Sequence, residues 1–160
     1  TRNRRLGVIG TAATINSGSY QNMIKRKNPQ AEVSAVPCPL LVPLIEAGKI
    51  ESGETREAVA AYLEPIRAAG ADTLILGCTH YPFLLPIIRE LIGSDVTIID
   101  PARETAGLAA GKLRELGLLR EKGQAVRRYY ASGDPAAFRK MGSAFLGLPD
   151  IGPVNKIHLG

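Results

Sequence analysis

Cysteine is scarce in this sequence, which has only Cys38 and Cys78 among 160 residues and contains no CxxC pair. Two isolated thiols do not make the framework of a disulfide-stabilised protein, and they are typical of a reducing compartment. Both thiols are then available for chemistry or for burial as small apolar side chains. We therefore expect a cytoplasmic protein without disulfide bonds.

Long apolar segments and aromatic clusters are absent as well. No apolar run approaches the roughly 20 residues that span a bilayer, and no secretory signal pattern is present, so we expect no membrane partner. Aromatic residues make up 5% of the chain and do not interleave with the short basic clusters behind the net charge of +5. Proteins that bind single strands need such interleaving, so we expect no nucleic-acid partner.

The sequence also lacks the GxGxxG and GxxxxGK[ST] loops of phosphate-binding sites, which predicts no dinucleotide or nucleoside triphosphate site. A zinc site is the natural rival, because Cys38, Cys78, His80 and Asp100 carry suitable ligand atoms. However, Cys-x-His is not a usual ligand spacing for structural zinc. We therefore expect neither a metal nor a cofactor.

Short apolar segments alternate with helical patterns along the chain. Strands are predicted at residues 6–10, 31–36, 72–76, 96–100, 126–131 and 154–158. One helix is predicted within residues 11–29, and further helices are predicted at residues 40–47, 54–69, 82–92, 104–119 and 134–145. Apolar strands that alternate with helices indicate an α/β fold, with a parallel sheet covered by helices on both faces.

The six predicted strands divide into two groups. The first four strand–helix units are enough to close a complete α/β lobe, which we predict at residues 1–105. Residues 106–160 are then a linker helix and the return segment of a second, incomplete α/β lobe. The boundary is expected between Pro101 and Gln124.

Chemically active side chains follow the predicted strands, and ligands of parallel sheets bind beyond the carboxyl ends of strands. The string GCTH at residues 77–80 is the densest example. Cys78 lies near the start of the next predicted helix, which favours a thiolate. Thr79 offers a hydroxyl and an amide N–H to a carboxylate, and His80 is able to transfer a proton. The alternative is a buried cysteine beside a capping or surface histidine, and the residues alone leave both open.

Other candidate positions have simpler interpretations. Cys38 lies between two prolines, which favours packing in a rigid turn. Thr11 and Thr14 form either a hydroxyl cradle for an anion or part of a helix cap made by Thr14 or Ser17. Glu46, taken alone, is an exposed helix carboxylate.

The segment LILGCTHYPFLLP at residues 74–86 resembles the second catalytic-cysteine motif of glutamate racemases. Three further segments fit the family in the right order: GVIGTAAT at 7–14, PCPLLVPLIEAG at 37–48 and IIDPARETA at 98–106. Family members specific for aspartate usually differ after GCT, so the resemblance favours glutamate.

The resemblance implies an isomerase without a cofactor that interconverts L- and D-glutamate for peptidoglycan synthesis. Two cysteines would act on opposite faces of the α-carbon, because inversion without a cofactor needs a base on each face. Cys78 would be one of them, and Thr79 and His80 would hold the substrate and tune the thiol. Further matches to family positions are Glu46, behind the histidine, and Thr11 and Thr14, near the substrate.

Family members are longer at the amino end by roughly a hundred residues, which hold an Asp-Ser pair and the first catalytic cysteine. Cys38 matches a different segment. The resemblance thus implies the carboxy-terminal part of a racemase, inactive alone, which needs the missing amino-terminal segment and forms a homodimer when complete. The alternative is a small-anion-binding α/β module without catalysis, in which Cys78 is a packed thiol.

Overall fold

A parallel sheet forms the centre of the first part of the chain in the computed structural model, which describes residues 1–120 and 122–158. The strands are β1 (Arg5–Gly10), β2 (Glu32–Pro37), β3 (Thr73–Gly77) and β4 (Thr97–Ile99), in the spatial order β2–β1–β3–β4. β1 pairs in parallel with β2 and β3, and β3 pairs in parallel with β4. The predicted α/β class is confirmed.

Helices connect these strands. They are α1 (Ala12–Asn16), α2 (Ser19–Lys27), α3 (Leu41–Glu46), α4 (Gly53–Ala68), α5 (Leu85–Ile92) and α6 (Pro101–Glu115). A 3-10 helix, Tyr81–Leu84, leads into α5. Within residues 1–120 and 122–158, no helix is both long enough and apolar enough to cross a membrane.

Two glycines of β1 reveal that helices cover both faces of the sheet. A Cβ atom added at Gly7 would lie 2.4 Å from Cγ2 of Ile66 on α4, whereas one at Gly10 would lie 3.0 Å from Cδ1 of Ile15 on α1. Residues an odd number of positions apart point to opposite faces of a strand. The helices α4 and α1 therefore pack on opposite faces, as predicted.

The face of α4 that contacts the sheet is the apolar stripe that the sequence predicts. Val59, Leu63 and Ile66 are each 1% exposed or less, and their spacing of four and three residues puts them on one side of the helix. Pro65 lies within α4, which nevertheless continues to Ala68. The early stop that a proline permits therefore does not occur here.

The helix predicted within residues 11–29 is confirmed as α2, which ends at Lys27, but a separate short helix, α1, precedes it. Gly18 has φ +66°, in the left-handed region that favours glycine. The Ser19 N–H donates to Oγ of Ser17, and the Ser17 hydroxyl donates to the Thr14 carbonyl. These local bonds end α1 and start α2, although the apolar residues of α2 do follow helical spacing.

Two helix starts also differ from the prediction. The helix predicted from residue 82 begins at Leu85, because the 3-10 helix precedes it. The helix predicted at 104–119 is α6, which begins at Pro101, where proline suits the first position. Oδ1 of Asp100 accepts the Ala102 N–H at 3.0 Å and caps this start.

The chain divides into two compact units, Thr1–Glu115 and Leu116–Gly160, whereas the sequence prediction ends the first lobe at residue 105. The second unit contains β5 (Tyr129–Ala131), α7 (Pro135–Phe145) and β6 (Val154–Lys156), with β5 and β6 paired in parallel. Both strands are shorter than predicted. That they belong to a larger second lobe stays a prediction, and residues 121, 159 and 160 of that predicted lobe lie outside the described residues.

One carboxylate ties the first residues of the chain to the sheet. The N–H groups of Arg2 and Asn3 donate to Oδ2 of Asp72 at 2.6 and 2.7 Å, and the Thr73 hydroxyl donates to Oδ1 at 2.8 Å. Hydrogen bonding from Thr1, together with these bonds, holds the pKa of Asp72 well below its ordinary value. The ionised form of Asp72 is therefore favoured by folding.

We expect the Gly7→Ala substitution to destabilise the first unit by about 1–3 kcal/mol, since its methyl group would overlap the fully buried Ile66. Urea unfolding followed by circular dichroism measures the change. Gly53→Ala is the matched control, because nothing lies within 4 Å of a Cβ atom there. Equal stability of the two variants would contradict this packing.

Acidification should weaken the fold partly through Asp72. Because folding lowers its pKa, the stability it contributes is fully present above the unfolded pKa of about 3.9 and is lost as the pH falls toward the folded value. We expect the free energy of unfolding to fall more steeply between about pH 5 and pH 2.5 in the unaltered chain than in Asp72→Asn. Urea titrations across this range test the difference, and parallel curves would refute it.

Candidate functional site

Three strands of the sheet end at one level. In the strand register, Gly10 is the partner of both Pro37 and Gly77. The residues that follow these three positions are Thr11, Cys38 and Cys78. Because parallel strands present their carboxyl ends at a common edge, the pairing brings together the segments that the sequence singles out.

Cys78, His80 and Glu46 form a line of contacts at this edge. Sγ of Cys78 lies 3.9 Å from Nδ1 of His80, and Nε2 of the same ring lies 3.1 Å from Oε1 of Glu46. Cys78 and His80 belong to the loop after β3, while Glu46 is the last residue of α3. The side chains of His80 and Glu46 are 28% and 46% exposed, so the line is open to solvent at its Glu46 end.

This arrangement suits proton transfer at the thiol. When Nε2 of His80 carries the proton and donates it to the Glu46 carboxylate, Nδ1 presents its lone pair to Cys78. A thiol, a base and a group that orients the base are the parts of an activated cysteine. Cys78 is half-buried, and it lies on the wall of a cleft.

The position of Cys78 relative to the next helix differs from the prediction. Its place near a helix start was expected to favour the thiolate, but the α-helix begins only at Leu85. The intervening residues form the 3-10 helix, so Cys78 does not lie in the first turn of α5. The imidazole of His80 is instead the neighbouring group that contacts the thiol.

The threonines of the site lie after two neighbouring strands, with Thr11 at the start of α1, Thr14 within α1 and Thr79 on the loop after β3. Oγ1 of Thr11 lies 2.9 Å from Oγ1 of Thr14, and the Thr14 N–H donates to Oγ1 of Thr11 at 3.2 Å. Thr11 is therefore the amino-terminal cap of α1, and Ser17 is its carboxy-terminal cap, whereas Thr14 lies inside the helix. Thr79 is exposed on the loop after β3. Its hydroxyl is available for a ligand.

Cys38 is buried, unlike Cys78. Its side chain is 1% exposed, and its Sγ donates to the Val36 carbonyl at 3.4 Å. Burial raises the pKa of the Cys38 thiol to about 12. The thiol is therefore protonated near neutral pH and packed inside the lobe.

A cleft of about 510 Å³ opens beside Cys78 and Thr79. Tyr20 of α2 and the first half of α6 form its other walls. Sequence reasoning did not single out Tyr20 for the site, because its helical spacing indicated packing. The structure shows why the ring fits there: a Cβ atom added at Gly77 would lie 3.2 Å from the Tyr20 ring, so the glycine leaves space for it.

The site contains no evident metal centre. Among residues 1–120 and 122–158, no three His, Cys, Asp or Glu side chains are grouped so that they could hold a metal ion. Of the potential ligands named from the sequence, Cys78 and His80 contact each other. Asp100 caps α6, Cys38 is buried, and His80 contacts Glu46.

Comparison with known families and sequences gives a consistent result. The family model described as Asp/Glu/Hydantoin racemase matches residues 1–109. A glutamate racemase of Geobacter metallireducens is 45% identical over 99% of this chain and 59% of its own length. A glutamate racemase of Enterococcus faecalis is 39% identical over 100% of this chain and 59% of its own length.

Solved structures agree with this match. The structure of a glutamate racemase from Francisella tularensis in complex with D-glutamate has a TM-score of 0.87 and 34% identity, over 97% of this chain and 58% of that one. A glutamate racemase isoform from Bacillus anthracis has a TM-score of 0.87 and 31% identity, over 100% of this chain and 59% of that one. The chain thus spans about 59% of the length of these relatives.

The two cysteines should differ sharply in reactivity. At about pH 8, iodoacetamide should alkylate Cys78 at least about tenfold faster than Cys38, since only the thiolate reacts and burial disfavours it at Cys38. Peptide mass spectrometry over time measures both rates. In Cys78→Ser the remaining thiol should react slowly until urea unfolds the chain, and equal rates in the folded chain would contradict the assignment.

Proposed function

The chain belongs to the Asp/Glu/hydantoin racemase family, and on that premise we propose that it forms one lobe of a cofactor-independent glutamate racemase. In this proposal the enzyme interconverts L- and D-glutamate by proton transfer at the α-carbon. The relatives named above, all glutamate racemases, support glutamate as the substrate.

The observation that carries the proposal is the line from Cys78 through His80 to Glu46. A thiolate with a neighbouring imidazole is able both to remove a proton from carbon and to return one. The imidazole accepts the thiol proton as the thiolate forms, and the Glu46 carboxylate stabilises the ring when it is positively charged. Cys78 is therefore the proposed acid or base for one face of the substrate, with His80 as its proton partner.

The substrate would be held by the threonine hydroxyls around the thiol. Thr79 is exposed directly beside Cys78, and Thr11 and Thr14 form a pair of hydroxyls at the start of α1, after the adjacent strand. Carboxylates of glutamate accept hydrogen bonds from hydroxyls and from backbone N–H groups in such loops. These residues are the proposed substrate-binding set of this lobe.

Racemisation needs a second base on the opposite face of the α-carbon. Cys38 is unsuited to that task, because its thiol is buried, protonated near neutral pH and bonded to the Val36 carbonyl. We propose that the second thiol comes from outside these 160 residues, from the part of the relatives that this chain does not match. This lobe alone would then exchange protons on one face at most.

The cellular location, biological role and oligomeric state of the complete enzyme are part of the same proposal. Two free thiols suit a cytoplasmic location, and supply of D-glutamate for peptidoglycan is the role that the resemblance implies. A homodimer of the complete enzyme also stays a prediction of the resemblance.

A small-anion-binding module is the second candidate. It is favoured by the Thr11–Thr14 hydroxyl pair and by the exposed Thr79, which suit a carboxylate or phosphate without any chemistry at sulfur. In that case Cys78 would only pack against its loop, and glutamate would bind without being changed.

Substitution of Cys78 separates the two candidates. In a full-length enzyme that contains this chain, Cys78→Ser should lower the rate of racemisation by at least about 10²–10⁴-fold, the usual contribution of a general acid or base. Circular dichroism of L- and D-glutamate solutions measures the rate in both directions. The reason is that a serine hydroxyl is far too weak an acid to replace the thiol near neutral pH.

Cys38→Ser is the matched control, because its hydroxyl is able to donate to the Val36 carbonyl as the thiol does. It should keep the activity of the unaltered enzyme. A Cys78→Ser enzyme that still interconverts the enantiomers at the normal rate would refute the racemase proposal. Glutamate binding without turnover in the unaltered enzyme would favour the anion-binding module.

A further inference from the structure

Tyr81 is the residue directly after the Cys78–His80 loop, and its side chain is fully buried, with 0% exposure. Its hydroxyl donates to the carbonyl of Cys38 at 3.3 Å. Its own N–H donates to the carbonyl of Cys78 at 3.2 Å and closes the turn that holds the thiol. Tyr81 thus contacts both segments that contain a cysteine.

The carbonyl that Tyr81 contacts begins the segment that leads to Glu46. The Cys38 carbonyl also accepts the N–H of Leu41, the first residue of α3, at 3.3 Å. The N–H of Cys38 donates to the Gly10 carbonyl at 2.8 Å, one step beyond the end of the β1–β2 pairing. The start of α3 is therefore fixed to β1 by one bond and to Tyr81 by another.

Two hydrogen bonds therefore join the same pair of segments. At the surface, His80 contacts Glu46 at 3.1 Å, and beneath it the Tyr81 hydroxyl bonds to the Cys38 carbonyl. The outer bond joins side chains that are partly exposed, and such a bond alone fixes geometry poorly. The inner bond lies in the core, where its geometry is held by packing.

From this arrangement we propose that Tyr81 is a positioning residue, whose hydroxyl sets α3 at the distance at which Glu46 orients His80 toward Cys78. Burial raises the pKa of the Tyr81 phenol, so the hydroxyl remains a donor throughout the range of enzyme activity. The inference rests on the proposed function, because it concerns the thiol that would transfer the proton. Its test uses no glutamate, so either proposal is able to fail alone.

Tyr81→Phe in the 160-residue chain removes the inner bond and keeps the ring. We expect alkylation of Cys78 by iodoacetamide at pH 7.5 to slow by about three- to tenfold, the range expected for loss of one hydrogen bond. The imidazole nitrogen chemical shifts of His80, measured by NMR, should move toward those of Glu46→Gln. Unchanged shifts, or a rate that is unchanged or faster in a folded variant, would overturn the proposal.

A double-mutant cycle distinguishes positioning from a general loss of order. If Tyr81 acts through the Glu46–His80 pair, the double variant Tyr81→Phe/Glu46→Gln should react no more slowly than Glu46→Gln alone. Additive effects on the alkylation rate would overturn the proposal. Tyr62→Phe is the control, because it removes the hydroxyl of a half-buried tyrosine on α4 and should leave both readouts unchanged.

A measurement on the unaltered chain keeps the test valid even if Tyr81→Phe fails to fold. The Tyr81 hydroxyl and the Leu41 N–H share one acceptor. The hydroxyl proton should therefore exchange slowly with solvent and give an NMR cross-peak to the Leu41 amide proton. A hydroxyl proton that exchanges rapidly, without that cross-peak, would refute the inner bond.

Discussion

The backbone of β1 bonds to β2 on one side and to β3 on the other, and the position of every group in the candidate site depends on that double pairing. It sets Gly10, Pro37 and Gly77 at one level, so that the loops that follow them emerge together. A slip of one residue in either pairing would turn the side chains of a strand to the other face of the sheet. Close packing opposes a slip of β1, because the Ile66 side chain fits against Gly7, and a larger residue at that position would overlap it.

Much of this arrangement was predictable from sequence, because short strands that end in glycine or are bounded by prolines are recognised from local pattern. The strand ends before Thr11, Cys38 and Cys78 follow from such patterns, and parallel topology then implies a shared edge. The break between α1 and α2 was missed, since the residues with helical spacing, Tyr20, Met23 and Ile24, all lie in α2 and the positive φ of Gly18 is seen only in the structure. Likewise, capping by Thr11 depends on where α1 begins, which spacing alone does not fix.

Contacts between distant segments were the least accessible to sequence reasoning. His80 and Glu46 are 34 positions apart, and only the family resemblance suggested that they meet. Their meeting requires a particular orientation of α3, which depends on what the Cys38 carbonyl contacts. No local signal encodes that contact. Tyr81 lies inside the recognised motif, yet its aromatic ring is equally compatible with ordinary core packing, and its hydroxyl acts on a residue 43 positions away.

The two cysteines show how backbone geometry assigns different tasks to one side-chain type. Cys78 follows Gly77 and remains half-buried beside an imidazole, whereas Cys38 continues the β1–β2 pairing by one bond and is drawn into the core. The thiol of Cys38 consequently donates a hydrogen bond to the Val36 carbonyl. The backbone carbonyl of Cys38 accepts hydrogen bonds from Leu41 and Tyr81.

Cys38 thus contributes to the site through its main chain. Many substitutions of the Cys38 side chain would leave these backbone hydrogen bonds intact. A change in the loop that moved the carbonyl would break them. A lobe built in this way holds one half-buried thiol at the edge of the sheet, and in the proposed function that thiol acts on one face of the substrate. The proposed inversion then requires a second base on the opposite face, and the buried Cys38 is unsuited to that task.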